Sequence, residues 1–282
     1  MPVIIGTPRP DNLFGTRRSD DIFGRGSGDF IDGGRGDDNL YGEDGNDELV
    51  GGPGVDFFFG GRGFDLVNYS GTPVPVFADL ARQTASIPGG FEERLVSIED
   101  LIGTSFDDGF FGSSADNVLE GRGGRDSLFG RSGDDLILGQ GGSDSLFGDN
   151  GADEVSGQGG NDIVEGGRGR DTLSGGSGAD SLDGGRARDV LVGGSGNDKL
   201  IGGGGSDRFR FDNGSDRDVI RDFQPDVDLI DLRLYSGINN FADLGLRVNA
   251  SDNLVVSLLG GDQIVLVGLD RVSDIGPSDF LF

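Results

Sequence analysis

The sequence predicts an all-β protein, a parallel β-roll in two blocks closed by a C-terminal β capping module. Three observations predict it. Glycine supplies 57 of the 282 residues. A nine-residue frame, plain in GGRGDDNLY GEDGNDELV GGPGVDFFF from residue 33, recurs over most of the chain. After residue 211 the frame stops and longer apolar runs take its place. Self-similarity at a fixed short period marks a stacked repeat, in which each unit buries its apolar face only against its neighbours.

Taken in order, residues 1–68 read as an N-terminal cap and first block, with units opening at Gly15, Gly24, Gly33, Gly42, Gly51 and Gly60. Residues 69–102 read as a spacer with strands, because Val74, Val76, Ala78 and Leu80 alternate with other residues and the frame slips there. Residues 103–210 read as the second block, with units opening every nine residues from Gly103 to Gly202. Residues 211–282 read as a separate cap, in which LVVSLL and QIVLVGL form a hairpin across Gly260, Gly261 and Asp262.

Within a unit, place one is Gly, place six is Asp and place eight is apolar. Place six holds Asp20, Asp29, Asp38, Asp47, Asp56 and Asp65 in the first block. In the second it holds Asp108, Asn117, Asp126, Asp135, Asp144, Asp153, Asp162, Asp171, Asp180, Asp189, Asp198 and Asp207, with Asn117 the one departure.

This consensus, G-G-x-G-x-D-x-U-x with U apolar, resembles the calcium-binding repeat of RTX (haemolysin-type) proteins. The spacer pieces VFADLARQTAS and SIEDLIGTSFDD resemble the segment between RTX blocks, and RDVIRDFQPDVDLIDL, GGDQIVLVGL and the terminal DFLF resemble an RTX C-terminal module. The resemblance implies a secreted, extracellular protein. It implies that 211–282 carries an uncleaved type I secretion signal read by an ABC-transporter machine, and that the chain folds on meeting calcium outside the cell. The opening MPVIIGTPRPDN, with neither a basic region nor a long apolar core, fits that expectation.

The mechanics follow from residue chemistry. Glycine lets the first six residues bend sharply and bring backbones close. The last three form a minimal strand with one inward side chain. Two units then make an 18-residue coil with a bend at each edge, and place-eight side chains fill the space between two parallel sheets. Stacked bends enclose carboxylate and carbonyl oxygens, the hard donors that Ca2+ takes six to eight at a time, whereas Mg2+ demands a stricter octahedron. The eighteen place-six residues are therefore the expected metal ligands, for at most about 14 Ca2+ ions, whose charge would come close to cancelling the formal −27. The bends at Gly15 and Gly103 are degenerate, and Asn117 lacks the charge; these are expected to be weak or terminal sites.

Composition excludes several functions. With no His and no Cys, zinc and thiolate chemistry lack their ligands. The acidic balance repels nucleic acid, and no apolar run is long enough for a transmembrane helix. Neither HExxH nor G-x-S-x-G occurs, so the chain reads as a non-enzyme. Asp79, Glu92, Glu93, Glu99 and Asp100 read as surface acids. Asp212, Asp216 and Asp218 read as one further cap site or a solvated loop. Arg35, Arg62, Arg122, Arg125, Arg168 and Arg170 read as solvated charges, with a stripe for extracellular anionic glycan as the alternative. The expected role is binding or structural, in adhesion, matrix or a cell surface. The rival readings are a membrane-active exoprotein and a polysaccharide-binding module of the alginate-epimerase type.

Overall fold

A computed structural model describes residues 1–88 and 91–282. It is all-β, with short 3-10 turns as the helical segments among the described residues. The chain divides into two compact units, Met1–Leu136 and Ile137–Phe282.

In the first unit the repeat winds as parallel strands on two sheets. Val3–Ile5, Asp21–Gly26, Asn39–Asp44 and Phe57–Arg62 follow one another on one sheet. Asn12–Phe14, Phe30–Asp32, Glu48–Val50 and Leu66–Asn68 do so on the other. Partners such as Ile22 and Leu40, or Ile31 and Leu49, are 18 residues apart, so one coil is two repeats. Place-eight residues Ile22, Ile31, Leu40, Leu49, Phe58 and Val67 are all fully buried. At ~25 cal/mol per Å2 of apolar surface, this column is the main non-metal term holding the sheets together.

Many strands are longer than the expected three residues. Asp21–Gly26, Asn39–Asp44 and Phe57–Arg62 run on through place three of the next unit. The bends stack closely enough to extend the ladder, as when the Gly45 N–H donates to the Arg62 carbonyl at 2.9 Å.

The segment 69–102 repairs the frame slip. Phe91–Val96 pairs in parallel with Phe57–Arg62 and sets Leu95 beside Phe58. Thr84–Ile87 and Phe77–Asp79 add two antiparallel strands, and Phe77–Asp79 then carries Gly109–Phe111 in parallel. On the opposite sheet Asp100–Ile102 alone bridges Leu66–Asn68 and Val118–Gly123. Three strands on one sheet thus answer one on the other.

In the second unit, Ser145–Asn150, Ile163–Arg168, Ser181–Arg186 and Lys199–Ile201 stack on one sheet, with Glu154–Gly159, Thr172–Ser177, Val190–Ser195 and Arg208–Asp212 on the other. Beyond the repeats, Arg217–Ile220 and Leu229–Leu234 continue these same sheets. The expected hairpin is present. Leu254–Ser257 and Gln263–Leu266 pair antiparallel, and Gly260 and Gly261 turn the chain with φ of 82° and 108°.

Candidate metal centres

All eighteen place-six residues are buried, none more than 3 % exposed. The sharp bend turns each one inward, and the coil above supplies a partner. The Asp20 backbone N–H donates to Asp38 Oδ1 at 2.7 Å, and the Asp38 N–H donates to Asp56 Oδ1 at 2.9 Å. On the opposite edge the Asp29 and Asp47 amides donate to Asp47 and Asp65 at 2.7 and 2.9 Å. The second unit repeats the pattern in Asp144–Asp162–Asp180–Asp198 and in Asp153–Asp171–Asp189–Asp207, with distances of 2.8–3.0 Å. Asp108 and Asn117 donate likewise to Asp126 and Asp135.

One carboxylate oxygen is thereby used and the other is not. Oδ2 of Asp29, Asp38, Asp47, Asp56 and Asp65 is buried without a hydrogen-bond partner, as is Oδ2 of Asp162, Asp180, Asp189, Asp198 and Asp207. A buried, unpaired carboxylate oxygen is costly, and a carboxyl so placed takes up a proton or a cation. Burial, the main cause, pushes Asp38, Asp180 and Asp207 up to about 6, Asp65 and Asp189 to about 7 and Asp56 to about 8. Neighbouring acids in the same stack push in the same direction, and the backbone hydrogen bonds only partly oppose them.

The orphan oxygen shares its space with carbonyls. A Cβ on Gly33 would lie 2.6 Å from Asp38 Oδ2 and 2.9 Å from the Gly51 carbonyl oxygen, and one on Gly184 would meet Asp189 Oδ2 and the Gly202 oxygen at 2.7 and 2.8 Å. Place one is therefore Gly because two oxygens converge where a side chain would start. Place four is Gly for a second reason: Gly36 has φ 116°, and its Cβ would sit 2.6 Å from the Arg18 carbonyl carbon.

Among the described residues no three carboxylates, or other acidic, His or Cys groups, gather as a metal-holding cluster. An ion in a bend would therefore draw on main-chain carbonyls and water beside its carboxylate oxygens. Single anionic oxygens amid carbonyls, with no imidazole or thiolate, suit Ca2+ and give a soft metal nothing to hold. The donor set fits calcium.

The structure also adds residues to the stacks. Asp11 lies in a further unit, GTPRPDNLF, whose Gly6 is nine residues before Gly15, and its amide donates to Asp29 Oδ1 at 2.8 Å. Glu99 ends one stack of the first run by accepting the Asp65 N–H at 3.0 Å. Glu93, fully buried beside the Asp56 backbone amide, ends the other. Asp218 and Asp228 take the Asp198 and Asp207 amides, both at 2.9 Å, 20 and 21 residues on.

Two expectations are corrected here. Glu93 and Asp79 are buried rather than surface acids, because Tyr69 and Arg131 partner them; Glu92 is exposed, and Glu99 and Asp100 are half-buried. Of the three tail acids, Asp218 alone is buried, while Asp212 and Asp216 are exposed and form no shared cluster with it. Arg35, Arg62, Arg122, Arg125, Arg168 and Arg170 are all exposed.

The profile of the RTX calcium-binding nonapeptide repeat matches residues 5–40, 32–67, 102–137, 111–146, 129–164, 138–173, 156–191 and 183–218. The chain belongs to this family. It is a calcium-binding β-roll, built from RTX repeats. No curated protein matches it significantly. Among solved structures, the extracellular lipase LipA from Serratia marcescens is 20 % identical with a TM-score of 0.28, over 94 % of this chain and 40 % of the lipase. The RTX chain thus spans about two fifths of the lipase's length. The AlgE6R2 subunit of the Azotobacter vinelandii mannuronan C5-epimerase is 25 % identical with a TM-score of 0.33, over 52 % of this chain and 91 % of that one. The AlgE6R3 subunit of the same enzyme is 24 % identical with a TM-score of 0.24, over 64 % and 81 %. At these scores the likenesses add nothing to the family assignment.

Proposed function

We propose that this RTX protein is secreted, folds when Ca2+ fills its bends outside the cell, and serves there as a binding or structural element without catalysis of its own. Its place-six residues, from Asp20 to Asp207, are the metal ligands in this reading, and residues 211–282 form the cap and the signal for type I export. One observation carries the folding part: rows of buried carboxylates whose second oxygen has no partner, so that ionised they need a cation between coils. Far-UV circular dichroism of chelator-treated protein, titrated with Ca2+, tests it. A cooperative gain of β-structure near ~0.1–1 mM Ca2+ that Mg2+ does not reproduce is the expected result. A chain fully β-folded in chelator at neutral pH would overturn it. Export is tested separately, by the loss of secretion on removing 211–282 from a chain expressed beside a type I exporter.

A second reading, an anionic-glycan-binding module, draws on one feature of the second unit. Arg168 and Arg186 pair in register, and Arg170 and Arg188 stand on the same two bends, all four exposed and without an ion pair among the described residues. Retention of the calcium-loaded protein on an anionic polysaccharide, lost when these four become Ser, supports that reading. Unchanged retention removes it.

A further inference from the structure

The first unit has a hollow of about 660 Å3 beside the end of one carboxylate stack. Its origin is in the sequence. Bends at Gly15, Gly33 and Gly51 stack on one edge, and the next would open at residue 69, where Tyr69 replaces Gly. The Tyr69 ring turns inward, edge-on to Phe58 at 6.1 Å, and its hydroxyl donates to Glu93 Oε2 at 2.8 Å. The chain then departs through Pro73 and Val74 into the added antiparallel strands. What would have been a fourth bend is an open space.

The walls of that space are apolar. Pro53 of the last bend, Val74 of the departing chain and Ile87 of the hairpin face it, over a floor of Phe58 and Tyr69. Its volume is in the range of small-molecule sites, and an apolar cleft with a few polar groups at one end is the usual form of such a site. The charged lining carries both signs, but Asp32 accepts the Gly34 N–H at 3.0 Å and Glu93 accepts the Tyr69 hydroxyl at 2.8 Å, so both carboxylates are engaged within the protein. Arg17 and Arg35 both line the hollow, occupy the same place on successive bends, and have no ion-pair partner among the described residues. Successive coils lie ~4.8 Å apart, so the backbones of Arg17 and Arg35 are neighbours and both guanidiniums are within reach of one anion in the cleft, in a chain of net charge −27. Two adjacent forks of N–H donors match one tetrahedral or planar anion.

We propose that this hollow binds a free single-chain amphiphile with an anionic head, its alkyl chain against Pro53, Val74 and Ile87 and its head on Arg17 and Arg35. The neutral wall sets the chain, and the arginine pair selects the sign of the head. Glu93 and Gly51, which border one carboxylate stack, also line the hollow, but Arg17, Arg35, Pro53, Val74 and Ile87 hold no metal in the reading above, so the site goes beyond that folding role.

The test is isothermal titration of the calcium-loaded full chain with decyl sulfate below its micellar concentration, with decyl maltoside as the neutral comparison. Saturable one-to-one binding of decyl sulfate is expected. The double variant Arg17→Ala, Arg35→Ala should weaken it at least ~10-fold while leaving the maltoside unchanged. Val74→Trp, which fills the space, should abolish binding of both. Pro53→Phe serves the same purpose at an exposed position if Val74→Trp does not give the wild-type dichroism spectrum in calcium. Binding that survives a filled hollow, or no saturable binding, overturns the proposal. So does attachment to phosphatidylglycerol vesicles that matches decyl sulfate binding in its arginine dependence but ignores the filled hollow, because a membrane surface would then be the ligand.

Discussion

Arg131 grips Asp79 at two points, Nη1 to Oδ1 and Nη2 to Oδ2, both at 2.8 Å, and so ties the inserted strands to the second run of repeats within the first unit. The guanidinium also lies over the Phe111 ring at 5.4 Å from its centre, and Phe111 stacks on Phe129 at 4.9 Å. A planar fork, a carboxylate and a ring face make a joint that lysine cannot copy. Arg131→Ala is expected to cost ~1–3 kcal/mol in urea unfolding of the calcium-loaded protein, with Arg131→Lys recovering less than half. An unchanged midpoint for Arg131→Ala would make the pair ornamental.

The same joint has a pH signature. The Arg131 hydrogen bonds hold the Asp79 carboxyl below its ordinary range. A lowered folded value means that its stabilisation is complete above the ordinary carboxylate range and is lost as pH falls through the lowered value. Asp79→Asn should flatten the acid limb of the stability curve below about pH 4 and leave its neutral part shifted uniformly down.

The buried acids of the stacks behave in the opposite sense. Burial raises Asp38, Asp180 and Asp207 to about 6, Asp65 and Asp189 to about 7, and Asp56 and Asp218 to about 8. For a raised carboxyl, stability is fully present below the unfolded value near ~4 and is lost as pH rises through the folded value. In chelator, β-structure should therefore grow as pH is lowered from 8 towards 4. In calcium that dependence should vanish, and apparent calcium affinity should rise from pH 5 to 8. Dichroism at fixed pH steps decides it; chelated protein that loses β-structure steadily on acidification would contradict the assignment.

Asp180 separates its two oxygens' roles. Asp180→Asn keeps an acceptor for the Asp162 amide but removes charge, so it should weaken calcium binding and leave the chelated acid form intact. Asp180→Ala also strands that buried amide, for a further ~1–3 kcal/mol in both states. Equal effects of Asn and Ala in calcium and in chelator would mean that the charge has no role.

Gly36→Ala tests the bend itself. With φ at 116° and the Arg18 carbonyl carbon 2.6 Å from the new Cβ, it should cost well over ~1 kcal/mol. Gly71→Ala, at a turn whose Cβ meets nothing within 4 Å, should cost little. Similar melting shifts for the two would show that coils separate readily.

Much of this was legible because period nine repeats both the apolar and the acidic place. Leu40, Leu49 and Phe58 declared the core, and Asp38, Asp47 and Asp56 the edges. What stayed hidden obeys geometry rather than frame. Asp11 lies in frame, but its unit carries Thr7 and Arg9 in place of the usual glycines and reads as part of the N-terminal cap. Asp218 and Asp228 take positions displaced by two and three residues, which a fixed period cannot follow. Glu93 and Glu99 sit in a stretch without the motif, and only the strand pairings carry them to the stack ends. The six-residue strands depend on how closely coils approach, which no single repeat encodes.

The amide-to-carboxylate ladder has a direction. Within each unit, a place-six N–H donates to the carboxylate of the coil that follows it, so the acceptor always comes from the C-terminal side. A roll growing from its N-terminal end buries each new amide before its acceptor exists. A roll growing from its C-terminal end offers every arriving amide a carboxylate already in place, starting from Glu93 and Glu99 in one unit and Asp218 and Asp228 in the other. Winding is thus polar, with its low-cost sense running from C-terminus to N-terminus.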